Sequence, residues 1–283
     1  MPTVPIHSSG KVQSNGLSLY YEAFGNPSHP AILLIMGLNS QSLNWFPYFY
    51  EPIVQQDLYV IRFDNRDIGL SEWINSAVWA SNPYSLEDMA EDAIGLLDAL
   101  NIKTAHIIGA SMGGMIAQRI AISHPNYMRS LTSMFSSAEA NSLGFNPTLV
   151  PDGDVAQPPS IEIQLQFWKM LTGSRFPFDE QLYRNLYREG FVVRKGYNPN
   201  CLPHQFTAIR RSGSRMQELN SIIVPTLVVH GTEDPLILEP HAVAYAQLIP
   251  QATYLALNGV GHELPEGICP TVLAAIFNLF SKS

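Results

Sequence analysis

Residues 31–36 read Ala-Ile-Leu-Leu-Ile-Met, an unbroken apolar run of strand length that stops at Gly37. A strand with one wet face alternates apolar and polar side chains, so a continuous run marks a strand covered on both faces. Leu58–Phe63, apolar except for Arg62, is read as a second buried strand. Strands of this kind belong to parallel sheets with helices on either side. The neighbouring sequence supplies the rest of such a sheet. Lys11–Ser14 and Leu17–Ala23 read as a hairpin closed by Asn15-Gly16. Further strands are expected at His106–Gly109 and Arg129–Phe135, with helices near Trp45–Gln55, behind Ser85 to about Leu100, and at Met112–Ser123. Ser85 has the chemistry of an N-cap, with Glu87 and Asp88 in the first turn behind it. Met89, Ala93, Leu96, Leu97 and Leu100 then recur at three- and four-residue spacing. After Phe135 the alternation breaks into a proline-punctuated, helix-like stretch, with Ile163–Leu171 and Glu180–Arg188 as its best helices. It resumes with a strand in Pro225–Gly231, a helix near Pro240–Leu248, a strand at Thr253–Leu257 and a helix near Pro270–Phe280. The expected architecture is α/β: a mostly parallel central sheet flanked by helices, built from residues 1–137 and 216–283. A helical segment, residues 138–215, is inserted between its two parts.

Composition removes several classes. An apolar fraction of 46% excludes an intrinsically disordered chain. A formal charge of −8, with no basic run, is the wrong sign for coating nucleic acid. No apolar stretch approaches the roughly 18–20 residues that span a bilayer. The first ten residues lack a basic segment followed by an apolar one, so no signal peptide is expected and the cytosol is the default compartment. Cys201 and Cys269 lie in unrelated contexts with no CxxC, which argues against a disulfide framework or a zinc site. Charged residues are only 14% of the chain, against about 25% in an average domain. The deficit is regional: residues 138–215 hold 9 bases and 7 acids, and the other 205 residues hold 7 bases and 17 acids. Sparse charge in the sheet-forming part is what doubly covered strands require.

Gly109-Ala110-Ser111-Met112-Gly113 matches GxSxG between an expected strand and an expected helix. In that context the serine occupies a sharp strand-to-helix turn with its hydroxyl exposed, and the small flanking residues let strand and helix approach. A serine hydroxyl is a weak nucleophile without a base. Where this motif works, the partners follow in the order acid, then histidine. Asp234 lies just past the strand Leu227–Val229, and His262 lies in the loop after the last strand. Glu233, next to Asp234, is the rival acid. Of the other seven histidines, His106 begins a strand and His230 ends one, as packed or capping residues do, and His124, before Pro125, reads as a helix end. A second backbone donor for an oxyanion would come from the turn after the third strand, at Met36-Gly37-Leu38.

These residues resemble the α/β-hydrolase superfamily over about Val12–Phe280. Ile35-Met36-Gly37-Leu38, the run Arg62-Phe63-Asp64-Asn65-Arg66-Asp67-Ile68-Gly69-Leu70-Ser71, Tyr84–Asp92, Phe176-Pro177-Phe178-Asp179 and Gly261-His262-Glu263-Leu264-Pro265 are similar, more narrowly, to the aclacinomycin methylesterase group. The resemblance implies a triad of Ser111, Asp234 and His262 and an oxyanion hole from the N–H groups of Leu38 and Met112. It also implies a helical cap in the insertion. Met36-Gly37 stands where many members of the superfamily carry His-Gly, a departure that the narrower group shares. Asp64, Arg66 and Asp67 are read as a structural loop network near the same face.

The expected activity is hydrolysis of a small-molecule carboxylic ester through an acyl-enzyme, with no metal and no cofactor. Thioesters, lactones, activated amides and carbon–carbon bonds yield to the same groups, and a lipase acting at lipid surfaces is a further reading. A binding protein that kept the fold without turnover is the reading of another class. Phe167, Trp168, Met170, Leu171 and Phe176 either line a substrate pocket or form the cap's own core. Trp45 and Phe46 either wall the site or pack as helix core.

Overall fold

The computed structural model describes residues 3–140 and 157–282. Eight strands among them form one sheet in the order β1-β2-β4-β3-β5-β6-β7-β8. They are β1 (Ile6–Ser14), β2 (Leu17–Phe24), β3 (Ala31–Ile35), β4 (Tyr59–Phe63), β5 (Ala105–Ala110), β6 (Met128–Met134), β7 (Thr226–Gly231) and β8 (Thr253–Leu257). β1 and β2 pair antiparallel, as do β2 and β4, while all pairs from β4 to β8 are parallel. The helices are α1 (Pro47–Val54), α2 (Ser76–Ser81), α3 (Leu86–Ala99), α4 (Met112–Ser123), α5 (Ile161–Leu171), α6 (Glu180–Tyr187), α7 (Cys201–Ser212), α8 (Glu239–Ala246) and α9 (Cys269–Phe280).

The apolar run of β3 shows why the sheet has two covered faces. All five residues are buried. Ala31, Leu33 and Ile35 point into a core shared with α3, α4 and α8, while Ile32 and Leu34 point into one shared with α1 and α9. Strand order reverses at β3: its chain continues to β4 on one side, while β5 lies on the other. The carboxyl ends of β3 and β5 therefore meet at a topological switch point, where open α/β sheets form their crevice. Gly37 and Ser111 are the residues just beyond those ends.

Most expected elements recur within a residue or two. β1 is longer, because the polar Ser8-Ser9-Gly10 stretch pairs along the edge of β2. Ser85 caps α3 in a reciprocal box, its N–H donating to Asp88 Oδ2 at 2.7 Å. The short α2 and the twelve-residue α7 were not expected. α7 has a regular buried stripe, but His204 and Gln205 occupy it beside Cys201, Ala208 and Ile209. Polar residues on the buried face hide the apolar periodicity by which a helix is read. α5, α6 and α7 all lie between β6 and β7. The chain leaves and re-enters the sheet-bearing part at one place, where Arg215 N–H donates to Ala138 O and Arg215 Nη2 to Ser137 O, both at 2.8 Å. Burial lowers the Arg215 guanidinium to about 10.

β5 and α4 approach so closely that their glycines leave no room. A Cβ on Gly113 would lie 2.1 Å from the Ile35 carbonyl oxygen, and one on Gly109 would lie 2.1 Å from the Gly113 oxygen. Backbone atoms cannot yield as a flexible side chain can. Gly113→Ala is expected to destabilise the protein by about 1–3 kcal/mol. Urea unfolding midpoints check this, and an unchanged midpoint contradicts the packing argument.

Candidate active site

Ser111 follows β5 and caps α4 with φ 56° and ψ −121°, in the half of dihedral space that a residue with a Cβ rarely enters. The conformation is held from both sides. Ser111 N–H donates to Met134 O at 2.8 Å, and Ser136 Oγ donates to Ser111 O at 2.8 Å. Gly37 lies against it, since a Cβ there would be 2.8 Å from Ser111 Cβ. Met112 opens α4, so its N–H is among the first-turn donors that have no acceptor within the helix. Leu38 lies in the turn beyond β3, whose Met36 O accepts from Asn65 Nδ2 at 2.9 Å.

Asp234 follows β7 and His262 follows β8, at the same edge of the sheet as Ser111. Asp234 Oδ2 accepts from His262 Nδ1 at 2.6 Å, while its Oδ1 accepts the N–H groups of Leu236 and Ile237 at 2.9 Å each. His230 Nε2 lies 3.3 Å from Oδ2. Burial by itself raises the Asp234 carboxyl, but the adjacent charge of His262 and the hydrogen bonds from His230 and His262 outweigh it, holding the group well below the usual carboxylate range. Asp234 is thus an ionised acceptor beside an imidazole. With Nδ1–H directed at that carboxylate, the basic lone pair of the neutral ring is on Nε2. The ring of Phe135, next to Met134, lies 6.0 Å from that of His262. Glu233, the rival acid, faces away: it is exposed and accepts from Ser174 N and Oγ at 2.7 and 2.8 Å.

The segment between β6 and β7 is fastened to each of these loops. His262 N–H donates to Leu171 O at 2.8 Å, and Arg175 N–H donates to Gly259 O at 2.9 Å. Tyr183 Oη donates to Glu263 Oε2 at 2.6 Å. Tyr183 also gathers aromatic rings: Phe46 at 5.9 Å, Trp168 at 4.9 Å and Phe178 at 5.0 Å. Phe46 and Trp168 are thus brought into one cluster beside the His262 loop. Tyr183 and Phe178 complete it and are not among the pocket candidates that the sequence offers. The other pocket candidates are dispersed. Trp45 is only 3% exposed and stacks on Phe49 at 5.0 Å within the core. Met170 is 49% exposed and faces solvent, because it lies on the outer side of α5. Leu171 is buried, Phe167 is half-buried on α5, and Phe176 packs against Gly267 before α9.

The loop Asp64–Asp67 forms a buried network. Asp64 accepts from Ser42 N at 2.7 Å and Leu70 N at 2.9 Å, and Arg66 Nε bonds Asp92 at 2.6 Å. Asp67 accepts from Tyr84 Oη and His204 Nδ1, each at 2.9 Å. Among the described residues, no group of three or more His, Cys, Asp or Glu side chains is gathered to hold a metal, and no helix is long and apolar enough to cross a membrane.

An open α/β sheet with a strained serine at its switch point defines a class. The chain belongs to the α/β-hydrolase fold family, whose model matches residues 30–266. It is similar to the rhodomycin D methylesterase DnrP of Streptomyces peucetius and to DauP, of the same name, from Streptomyces sp. strain C5. It is 29% identical to each, over 94% of this chain and 95% of theirs. Among solved structures, it resembles the meta-cleavage product hydrolase of Pseudomonas fluorescens IP01 with a TM-score of 0.76. That match covers 98% of both chains at 19% identity, a likeness of fold.

Glu263 offers a pH-dependent check on how the insertion is fastened. Burial raises its carboxyl above the ordinary 4.5, against hydrogen bonds from Tyr183 and Thr172 that lower it. An acid raised in the folded state titrates later there than in the unfolded chain, so its contribution to stability is lost as pH rises through the raised value. Relative to Glu263→Gln, the parent should lose stability as pH rises from 4.5. Urea midpoints of both proteins at pH 4 and 8 read the gap, and a gap of equal size at both contradicts the assignment.

Proposed function

We propose that the protein is a serine hydrolase of carboxylic esters, with Ser111 as nucleophile, His262 as base and Asp234 as the acid that orients it. The observation that carries this reading is the 2.6 Å bond between Asp234 and His262 at the sheet edge where Ser111 is held in its strained turn. His262 Nε2 takes the proton of the Ser111 hydroxyl as Oγ attacks the ester carbonyl. Asp234 keeps the imidazole in the tautomer that leaves Nε2 basic and stabilises the positive ring. The N–H groups of Leu38 and Met112 receive the negative oxygen of the tetrahedral intermediate, a contribution of about 10²–10³ in rate for each donor. The alcohol leaves with the proton from His262, water attacks the acyl-enzyme, and the acid departs. Serine at position 111 sets this chemistry apart from that of an aspartate nucleophile.

The described part of the insertion, residues 157–215, serves as the cap over this edge, and the cluster around Tyr183 forms part of its inner wall. The ester reading takes precedence over thioester, lactone or carbon–carbon cleavage because both methylesterases match over nearly their whole length. A methyl ester, with its small leaving group, is the first substrate to try.

An organophosphonate ester should add its mass to the peptide containing Ser111, and Ser111→Ala should abolish both labelling and ester hydrolysis. Labelling and turnover that survive Ser111→Ala contradict the proposal. Asp234→Asn should fold and lose about 10⁴-fold in kcat, because the amide favours the wrong tautomer. A steady-state rate within tenfold of the parent removes Asp234 from the role.

A further inference from the structure

Gln205, on the polar buried stripe of α7, is fully buried and spans two loops. Its Oε1 accepts the N–H of Asn39 at 2.8 Å, and its Nε2 donates to Arg66 O at 2.9 Å. The partners fix the orientation of the amide, since an N–H can only donate and a carbonyl can only accept. Asn39 follows Leu38 directly and has φ 55°, a left-handed turn conformation that asparagine adopts more readily than most residues. The peptide plane that Gln205 grips is the one between Leu38 and Asn39. It shares the Leu38 Cα with the plane that carries the Leu38 N–H, so only one pair of dihedrals separates them. On its other side, the turn is held at Met36 O by Asn65 and pressed against Ser111 through Gly37.

We infer that Gln205 is a positioning residue for the oxyanion hole: a side chain of the insertion aims the Leu38 N–H by clamping Asn39 to the Arg66 carbonyl. The inference rests on the reading of Leu38 as an oxyanion donor. Its consequence is that α7 and catalysis are coupled. Without the α7 clamp, the site keeps its nucleophile and base but misaims one of the two donors. Gln205 bonds Asn39 and Arg66 and acts through the Leu38 N–H, so its effect is expected on transition-state stabilisation rather than on ground-state binding.

Two variants and one inhibitor test this. Gln205→Leu preserves size and removes both bonds. It should lower kcat by about 10- to 100-fold, the range expected for a displaced rather than deleted donor, with KM within about twofold. A trifluoromethyl ketone, which forms an oxyanion adduct on a serine, should bind more weakly by the same factor. Gln205→Glu supplies a readout that loose packing does not produce. The protonated carboxyl can accept from Asn39 and donate to Arg66 O, whereas the ionised form turns a negative oxygen toward that carbonyl. The ratio of its kcat to the parent's at the same pH should therefore rise as pH falls. That ratio carries the test even where Gln205→Leu does not fold. A ratio near one at every pH, or a folded Gln205→Leu with parental kcat and ketone affinity, overturns the inference. Ser111→Ala run in parallel separates the two levels: if it is inactive while Gln205 variants are parental, only the role of Gln205 fails. If it retains turnover, the serine mechanism itself fails.

Discussion

The backbone of Ser111 is the constraint on which the rest of the structure depends. A φ of 56° costs a residue with a Cβ on the order of 1–3 kcal/mol, and it persists only where the surroundings hold it. Here they do so through absence of side chains. Gly109 and Gly113 let β5 and α4 touch backbone to backbone, and Gly37 lets the turn after β3 lie against Ser111 Cβ. Any larger residue at these points would push the helix off the strand. The strained turn places the serine at the switch point between the ends of β3 and β5, and so in the crevice.

Beside that point the carboxylate of Asp234 is held ionised by its surroundings. Asp234 stays ionised because four donor groups, two of them backbone N–H, face it. The insertion then contributes order rather than only cover. It accepts from the His262 backbone at Leu171, holds Glu263 through Tyr183, binds Glu233 through Ser174 and grips Asn39 through Gln205. Every loop that takes part in the proposed chemistry, apart from the Ser111 elbow, is thus tied to the segment between β6 and β7.

Much of this was legible in the sequence for identifiable reasons. Doubly buried strands announce themselves as apolar runs, and β3 is such a strand. The Ser111 turn is local, because strand, small residues and helix are contiguous. Asp234 and His262 were placed by their position after late strands, and the choice of Asp234 over Glu233 is consistent with their opposite orientations. What stayed hidden is non-local. Gln205 and Asn39 are 166 residues apart, and nothing in either neighbourhood points to the other. α7 was missed because His204 and Gln205 occupy its buried face. Aromatic or apolar character alone does not separate Trp45, in the core, or Met170, in solvent, from Phe46 and Trp168 beside Tyr183. What separates Met170 from Trp168 is the rotation of α5, which a short amphipathic helix does not reveal.

The central claim is that Ser111, His262 and the N–H groups of Leu38 and Met112 converge on one reacting carbonyl. A crystal structure of the organophosphonate adduct tests it most directly, since the phosphonyl group copies the tetrahedral intermediate. The account predicts phosphorus bonded to Ser111 Oγ, the phosphonyl oxygen about 2.7–3.1 Å from both the Leu38 and Met112 nitrogens, and His262 Nε2 within hydrogen-bond reach of Oγ. An adduct on another residue, or a phosphonyl oxygen turned away from both nitrogens, would contradict it.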